Sequence, residues 1–278
     1  MDYQEFVRSR KNYLGASDAP IIMGVSPWRT PYQLWEDKLG LCPDQEDNYA
    51  MKRGRELEPV AREAYSVYTG NIVEPKQVFH KDIPYMMANM DGINEDHSAA
   101  VEIKCPGEKD HLLAKDGIVP EKYRPQLQHQ LAVIGINELH YFSYLDGDIA
   151  LVEVGRDEGF IKRLIMEEKK FWSCVQNLTP PTLTDRDYHE RTDSAWATAA
   201  SEWALIHKKL EALKAEEKQY REMLIQLSEN QNSKGHGIKI QRIVRKGTVD
   251  YKAVPELEGV DLEKYRKEPV ESWRIVSC

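Results

Sequence analysis

An aspartate, a glutamate and a lysine share the stretch of residues 87–106, MANMDGINEDHSAAVEIKCP, as Asp91, Glu102 and Lys104. Residues two apart on a strand point the same way, so Glu102 and Lys104 face one side while Val101 and Ile103 face the other. The apolar pair suits a core, and Asp91 lies a hairpin's length upstream. Two carboxylates and an ammonium group converging at a strand edge suit a hard divalent cation and an activated water. Mg²⁺ takes oxygen ligands from one or two carboxylates, with waters and substrate phosphates filling the rest. A lysine there holds and polarises the attacking water or steadies developing charge. That chemistry is phosphodiester hydrolysis. An exposed hairpin with a Glu-x-Lys pair on its solvated face accounts for the same residues without chemistry.

The elements that must position this set are legible from punctuation and period. One strand ends near Asp91-Gly92, residues 94–98 (NEDHS) turn, and residues 99–105 return. Upstream, residues 14–20 lead into a short apolar helix that stops at Gly24, with Ser17 or Asp18 as N-cap and Pro20 in the first turn. A helix start carrying a hydroxyl can bind an anion, and Arg10 could add a bidentate phosphate contact. A plain capped helix with a surface arginine explains them equally. Thr30-Pro31 starts a second helix that ends at Gly40. Residues 52–70 read as a third, with Leu57, Val60, Ala61, Ala64, Tyr65 and Tyr68 on its packed face and Glu58 beside that stripe, an i,i+4 partner for Arg62.

After the hairpin, residues 120–135 form a helix with Tyr123, Leu127, Leu131 and Ile134 on one face and Gln126, Gln128 and Gln130 decorating it. Two strands follow at residues 140–145 and 149–154 around Asp146-Gly147-Asp148, then a helix over residues 159–175. The Pro180-Pro181 break suggests a boundary, giving domains 1–178 and 179–278. Beyond it, Trp203, Ile206, Leu210, Leu213, Tyr220, Leu224 and Leu227 fall on a 3-4 repeat of coiled-coil type, interrupted by Glu217. Short strands are expected at residues 238–243, 245–251 and 273–276.

Composition narrows the classes. The apolar fraction, 41%, is ordinary for a globular protein. No apolar run approaches a membrane span, and residues 1–13 lack a signal-peptide core, so a cytoplasmic location is expected. Cys42, Cys105, Cys174 and Cys278 are scattered, without zinc-ribbon or cluster-binding spacing. The net charge of −8 argues against a uniformly basic DNA-binding surface and leaves room for a locally lined channel.

Asp91…Glu102-x-Lys104 falls on the motif of the PD-(D/E)xK nucleases, and with its flanking motifs over roughly residues 1–175 the chain resembles the YqaJ-type viral recombinase nucleases, the lambda-exonuclease-like branch. Met90 stands where the motif has proline. The resemblance implies an α/β, restriction-endonuclease-like core with a mixed central sheet flanked by helices. A long helix and a small β extension would follow it at the C-terminus.

The resemblance also implies roles for named residues. Asp91, Glu102 and the Ile103 carbonyl would hold Mg²⁺, for which Mn²⁺ substitutes. Lys104 would activate water, with Glu58 and Gln128 supporting. Arg10 and Ser17 would bind the DNA 5′-phosphate, and Arg55 and Tyr123 would contact DNA. The implied activity is 5′-to-3′ digestion of double-stranded DNA ends by a homotrimeric ring, leaving 3′ tails for a single-strand annealing recombinase in a phage or prophage setting. Two alternatives stand beside it: a nonspecific or structure-selective endonuclease on the same core, and an inactive DNA-binding or assembly module.

Overall fold

The computed structural model describes residues 12–43 and 48–248, with residues 254–257, 260, 262–265 and 267 beyond them. Arg10 and the strand expected at residues 273–276 lie outside the described residues. The chain divides into two units, Met1–His189 and Glu190–Cys278. The division falls beyond Pro180-Pro181. Arg186 donates to the carbonyls of Ser26 and Pro27, and Thr30 bonds Asp187, so residues 185–187 stay fastened to the first unit.

The first unit is built on a mixed sheet. Its strands are β1 (Leu14–Gly15), β2 (Glu74–Phe79), β3 (Met86–Ile93), β4 (Ala100–Lys104), β5 (Glu138–Leu145) and β6 (Asp148–Gly155). The order is β1-β3-β4-β5-β6, with β2 also paired to β3. The β1–β3 and β4–β5 pairs are parallel, and the others antiparallel. Asp146 and Gly147 make the β5–β6 turn at positive φ, 49° and 94°, where Asp is tolerated and Gly is at home.

The helices are α1 (Ala19–Ile22), α2 (Pro31–Leu39), α3 (Tyr49–Thr69), α4 (Glu108–Lys115), α5 (Arg124–Ile134) and α6 (Glu158–Gln176). Thr30 and Gln33 bond each other's backbone N–H groups as a capping box, and Gly40 ends α2 in the left-handed region. Helix α3 starts earlier than its periodicity suggests, because Asn48 caps it by accepting from the Met51 N–H at 2.9 Å. Pro59 then lies inside it. Ala61 and Tyr65 are buried as expected, whereas Val60 and Tyr68 are 49% and 62% exposed. The packed stripe is therefore narrower than the apolar one.

Each face of the sheet has its own core. Ala61 and Tyr65 of α3 pack with Val73, Val101, Ile103 and Phe142 on one side. Leu127 and Leu131 of α5 pack with Met86, Ala88, Met90, Ala100 and Tyr141 on the other. A flanking cluster joins Leu14, Ile21, Leu34 and Trp35 to Phe171 and Val175 of α6. Strand β4 is thus covered on both faces. The charged residues of the Glu-x-Lys pair are not on a solvated face: Glu102 is 1% exposed, under α5.

In the second unit, α7 (Ser194–Leu227) is one uninterrupted helix that buries none of its residues. The hairpin β7 (Ser233–Gly235) and β8 (Ile238–Ile240) follows. No strand forms over residues 241–248, and the rest of the expected second strand lies outside the described residues. No described helix is long and apolar enough to cross a membrane.

Candidate active site

The site forms where β3 and β4 separate. Their ladder holds only at Gly92↔Val101 and Ile93↔Ala100. On the other side of β3, pairing with β2 slips by one residue opposite Met90 to Ile93. A bulge of this kind re-aims side chains and ends regular pairing. Where β3 and β4 part, two backbone groups are taken up by side chains of the site. The Ile103 N–H donates to Asp91 Oδ2 at 2.8 Å. Arg62 Nε of α3 donates to the Asp91 carbonyl at 2.6 Å, while its Nη2 donates to Glu58 Oε1. Gly92 lets the strand pass: a Cβ there would lie 2.6 Å from Val73 Cγ2 and 2.8 Å from Val101 Cγ1.

Glu102 sits under α5. Gln126 Nε2 and Lys104 Nζ donate to its Oε1, and Gln130 Nε2 donates to Oε2. Lys104 Nζ also lies 5.4 Å from the centre of the Tyr123 ring, whose face attracts a cation. The structure brings Gln126 and Gln130, and not the Gln128 singled out in the sequence, against Glu102. Gln126 and Gln130 are one turn apart and share the face toward Glu102. Gln128 is about 200° around the helix from Gln126; its amide donates to the Gly155 carbonyl and its Oε1 accepts from the Asp157 N–H. The i,i+4 spacing of Gln126 and Gln130 is the signal that separates them.

The electrostatics fit a cation. Burial, and then the Glu102 charge, push the Asp91 carboxyl well above the usual carboxylate range. Burial alone would lower the Lys104 pKa, but Glu102 and Asp91 outweigh it, and the net shift is upward. Three carboxylates, Asp91, Glu102 and Glu58, thus converge, and among the described residues only Lys104 and Arg62 are cationic partners in their hydrogen bonds. A divalent ion would supply the missing charge, and the donor set is all oxygen, of the kind Mg²⁺ prefers. Gln130 Oε1 is buried beside Glu102 with no hydrogen-bond partner among the described residues, an acceptor suited to a water of a hydrated ion. Burial pushes the neighbouring Cys105 thiol up to about 11, so it offers no thiolate. The side chains of Glu58 and Lys104 keep 33% and 25% exposure, so the site opens to solvent on their side.

The remaining sequence candidates lie apart from these contacts. Ser17 is exposed in a 3-10 turn (Ala16–Asp18) rather than capping a helix. Asp18 stands at the N-cap of α1 as expected but makes no side-chain capping bond to it; its buried Oδ2 accepts from the Gly15 N–H at 2.9 Å and from Lys38 Nζ at 2.6 Å. Arg55 is exposed on α3. His129 is fully buried between Glu168 and the Met87 carbonyl.

Residues 5–137 match the family described as YqaJ-like viral recombinase domain. The chain is 31% identical over 179 residues to the protein YqaJ of Bacillus subtilis (strain 168), covering 62% of this chain and 56% of that one. It therefore spans little more than half of that relative's length. Among solved structures, an alkaline exonuclease (LHK-Exo) from Laribacter hongkongensis superposes with a TM-score of 0.56 at 30% identity, over 63% of this chain and 94% of that one. The same enzyme in complex with dAMP matches equally, at 29% identity.

Proposed function

Because the chain belongs to the YqaJ-like viral recombinase domain family, we propose that it is a Mg²⁺-dependent deoxyribonuclease that digests double-stranded DNA from 5′ ends. The observation that carries this reading is the cation-poor cluster of Asp91, Glu102 and Glu58 with Lys104 at the separation of β3 and β4. Similarity to a solved alkaline exonuclease over nearly all of that enzyme's length supports the exonuclease form.

Asp91, Glu102 and the Ile103 carbonyl hold the metal. When bound, Mg²⁺, or Mn²⁺ in its place, polarises the phosphate and offsets its developing charge. Lys104, kept charged by its carboxylate neighbours, donates a hydrogen bond to the attacking water and steadies the pentacoordinate phosphate. Gln126 and Gln130 fix the Glu102 carboxylate so that no reorientation is needed during reaction. Arg62 holds Glu58 and the Asp91 backbone in place. Arg10 and Ser17 bind the terminal 5′-phosphate, and Tyr123 and Arg55 contact the DNA.

The 3′ single strands left behind suit a single-strand annealing recombinase in phage-type recombination. The protein works in the cytoplasm of a bacterial host as a homotrimer encircling its substrate. Its nuclease activity resides in the unit Met1–His189, and the unit Glu190–Cys278 is an extension.

Linear duplex labelled at either the 5′ or the 3′ end, incubated with Mg²⁺ or EDTA, tests this. Early release of the 5′ label as mononucleotide with Mg²⁺, and none with EDTA, is expected. Early release of the 3′ label, or cleavage in EDTA, contradicts the reading.

A further inference from the structure

Away from the nuclease site, one end of the β5–β6 ribbon gathers Glu138, His140 and Glu153, each offering a ligand atom within 4.8 Å of the others. The register explains the gathering. His140 lies directly opposite Glu153 in the antiparallel ladder, and Glu138 is two residues along the same strand, so all three share a face. That face is the one that carries Val101, opposite the face on which Glu102 meets α5.

The strands are rigid, and the histidine is oriented from behind. Tyr65, fully buried on α3, has its hydroxyl 2.8 Å from His140 Nδ1. With the proton on Nδ1 donated to that oxygen, the lone pair of Nε2 is left for a metal, the arrangement that metal-bound histidines commonly show. Neither Glu138 nor Glu153 takes part in an ion pair or side-chain hydrogen bond among the described residues, so two neighbouring negative charges stand without a cation. Like charges held this close on a sheet face disfavour the fold unless something bridges them.

We propose that Glu138, His140 and Glu153 form a second metal site, selective for a late first-row divalent ion such as Zn²⁺ over Mg²⁺. One imidazole nitrogen and two carboxylates suit Zn²⁺, whose tetrahedron a water completes. Mg²⁺ has no preference for imidazole and gives up its own waters reluctantly. The ion pins the β5–β6 ribbon and, through Tyr65, ties it to α3. Its role is structural, and it takes no part in hydrolysis.

The test uses the full chain carrying Asp91→Asn and Glu102→Gln, so that the nuclease site contributes no carboxylate pair. Titrated calorimetrically with ZnCl₂, this protein should bind one Zn²⁺ per chain, with a rise in Tm and no displacement by a large excess of Mg²⁺. Adding Glu153→Gln, at an exposed position that leaves the fold alone, should weaken Zn²⁺ at least about tenfold and remove the Tm rise. Adding His140→Ala should do the same. With Co²⁺, the spectrum should show nitrogen and oxygen ligation. Absence of bound Zn²⁺, binding indifferent to both substitutions, or a thiolate-to-cobalt charge-transfer band overturns the proposal. None of these outcomes bears on the nuclease reading, because the Asp91 and Glu102 carboxylates are absent from the titrated protein.

Discussion

Glu102 is a buried carboxylate with both oxygens already engaged, by amides from α5 and by the Lys104 ammonium. This makes its orientation a property of α5 rather than of its own strand. Gln126→Ala should lower kcat about 10–100-fold, the effect of losing one hydrogen bond to a charged group worth about 1.5–3 kcal/mol, with the Tm nearly unchanged. Gln128→Ala should do the reverse, since its amide serves the Gly155 carbonyl and the Asp157 N–H at the start of α6. Steady-state kinetics beside thermal melts of both variants checks the pair, and a rate loss confined to Gln128→Ala would reverse the assignment. Lys104→Ala should keep DNA binding and lose cleavage by about 10² or more, as when one preorganised donor to a reacting oxygen is removed. Residual cleavage above about a tenth of wild type contradicts the role given to the lysine.

At the scale of elements, the close passage of β3 beside Val73 and Val101, just before β3 and β4 part, needs a glycine without a Cβ. Gly92→Ala would drive a methyl group into Val73 and Val101. It should cost about 1–3 kcal/mol of stability through overpacking and reduce activity by displacing Asp91; urea melts and a nuclease assay check both effects. Helix α6 is tied to the core through the buried His129–Glu168 pair. Burial alone would depress the His129 pKa, but Glu168 reverses this and the net shift is upward from 6.5. A histidine that binds its proton more tightly when folded contributes stability that is complete below its unfolded pKa and is lost as pH rises through the folded one. Wild-type Tm should therefore fall as pH climbs through the window above 6.5, and Glu168→Gln should flatten that slope while lowering the Tm throughout. A wild-type Tm rising with pH across this window would contradict the pairing. The sequence made the hairpin, the caps at Thr30 and Gly40 and the β5–β6 pair legible, because these are set by neighbours in the chain, but not strand β2 (Glu74–Phe79) or helix α4 (Glu108–Lys115). It did not reveal the β3 bulge, the Arg62 contact with the Asp91 carbonyl or the burial of Glu102, which depend on elements far apart in sequence. The choice among the three glutamines was available from helical spacing, but it required knowing which face of α5 meets the sheet.

For the molecule as a whole, a net charge of −8 confines the phosphate contacts of the proposed nuclease to a local surface, so its DNA binding should weaken with salt at a shallow slope while the fold does not. If three copies of this acidic chain close into a ring, light scattering at micromolar concentration should give three times 32.2 kDa. A monomer mass would contradict the ring. If Arg10 and Ser17 grip the end, linear duplex with a 5′-phosphate should be digested about 10–100-fold faster than the 5′-hydroxyl form, and Arg10→Ala should erase most of that preference. Equal rates on both ends in the wild type would count against the pocket. The central claim, an end-dependent and metal-dependent nuclease at Asp91, Glu102 and Lys104, is tested most directly by presenting one plasmid in two forms, covalently closed and linearised, to wild type and Lys104→Ala with Mg²⁺. The account predicts that wild type degrades the linear form, leaves the closed circle intact and stops on adding EDTA, while Lys104→Ala degrades neither. Nicking of the closed circle by the wild type, or digestion by Lys104→Ala at a comparable rate, would contradict it.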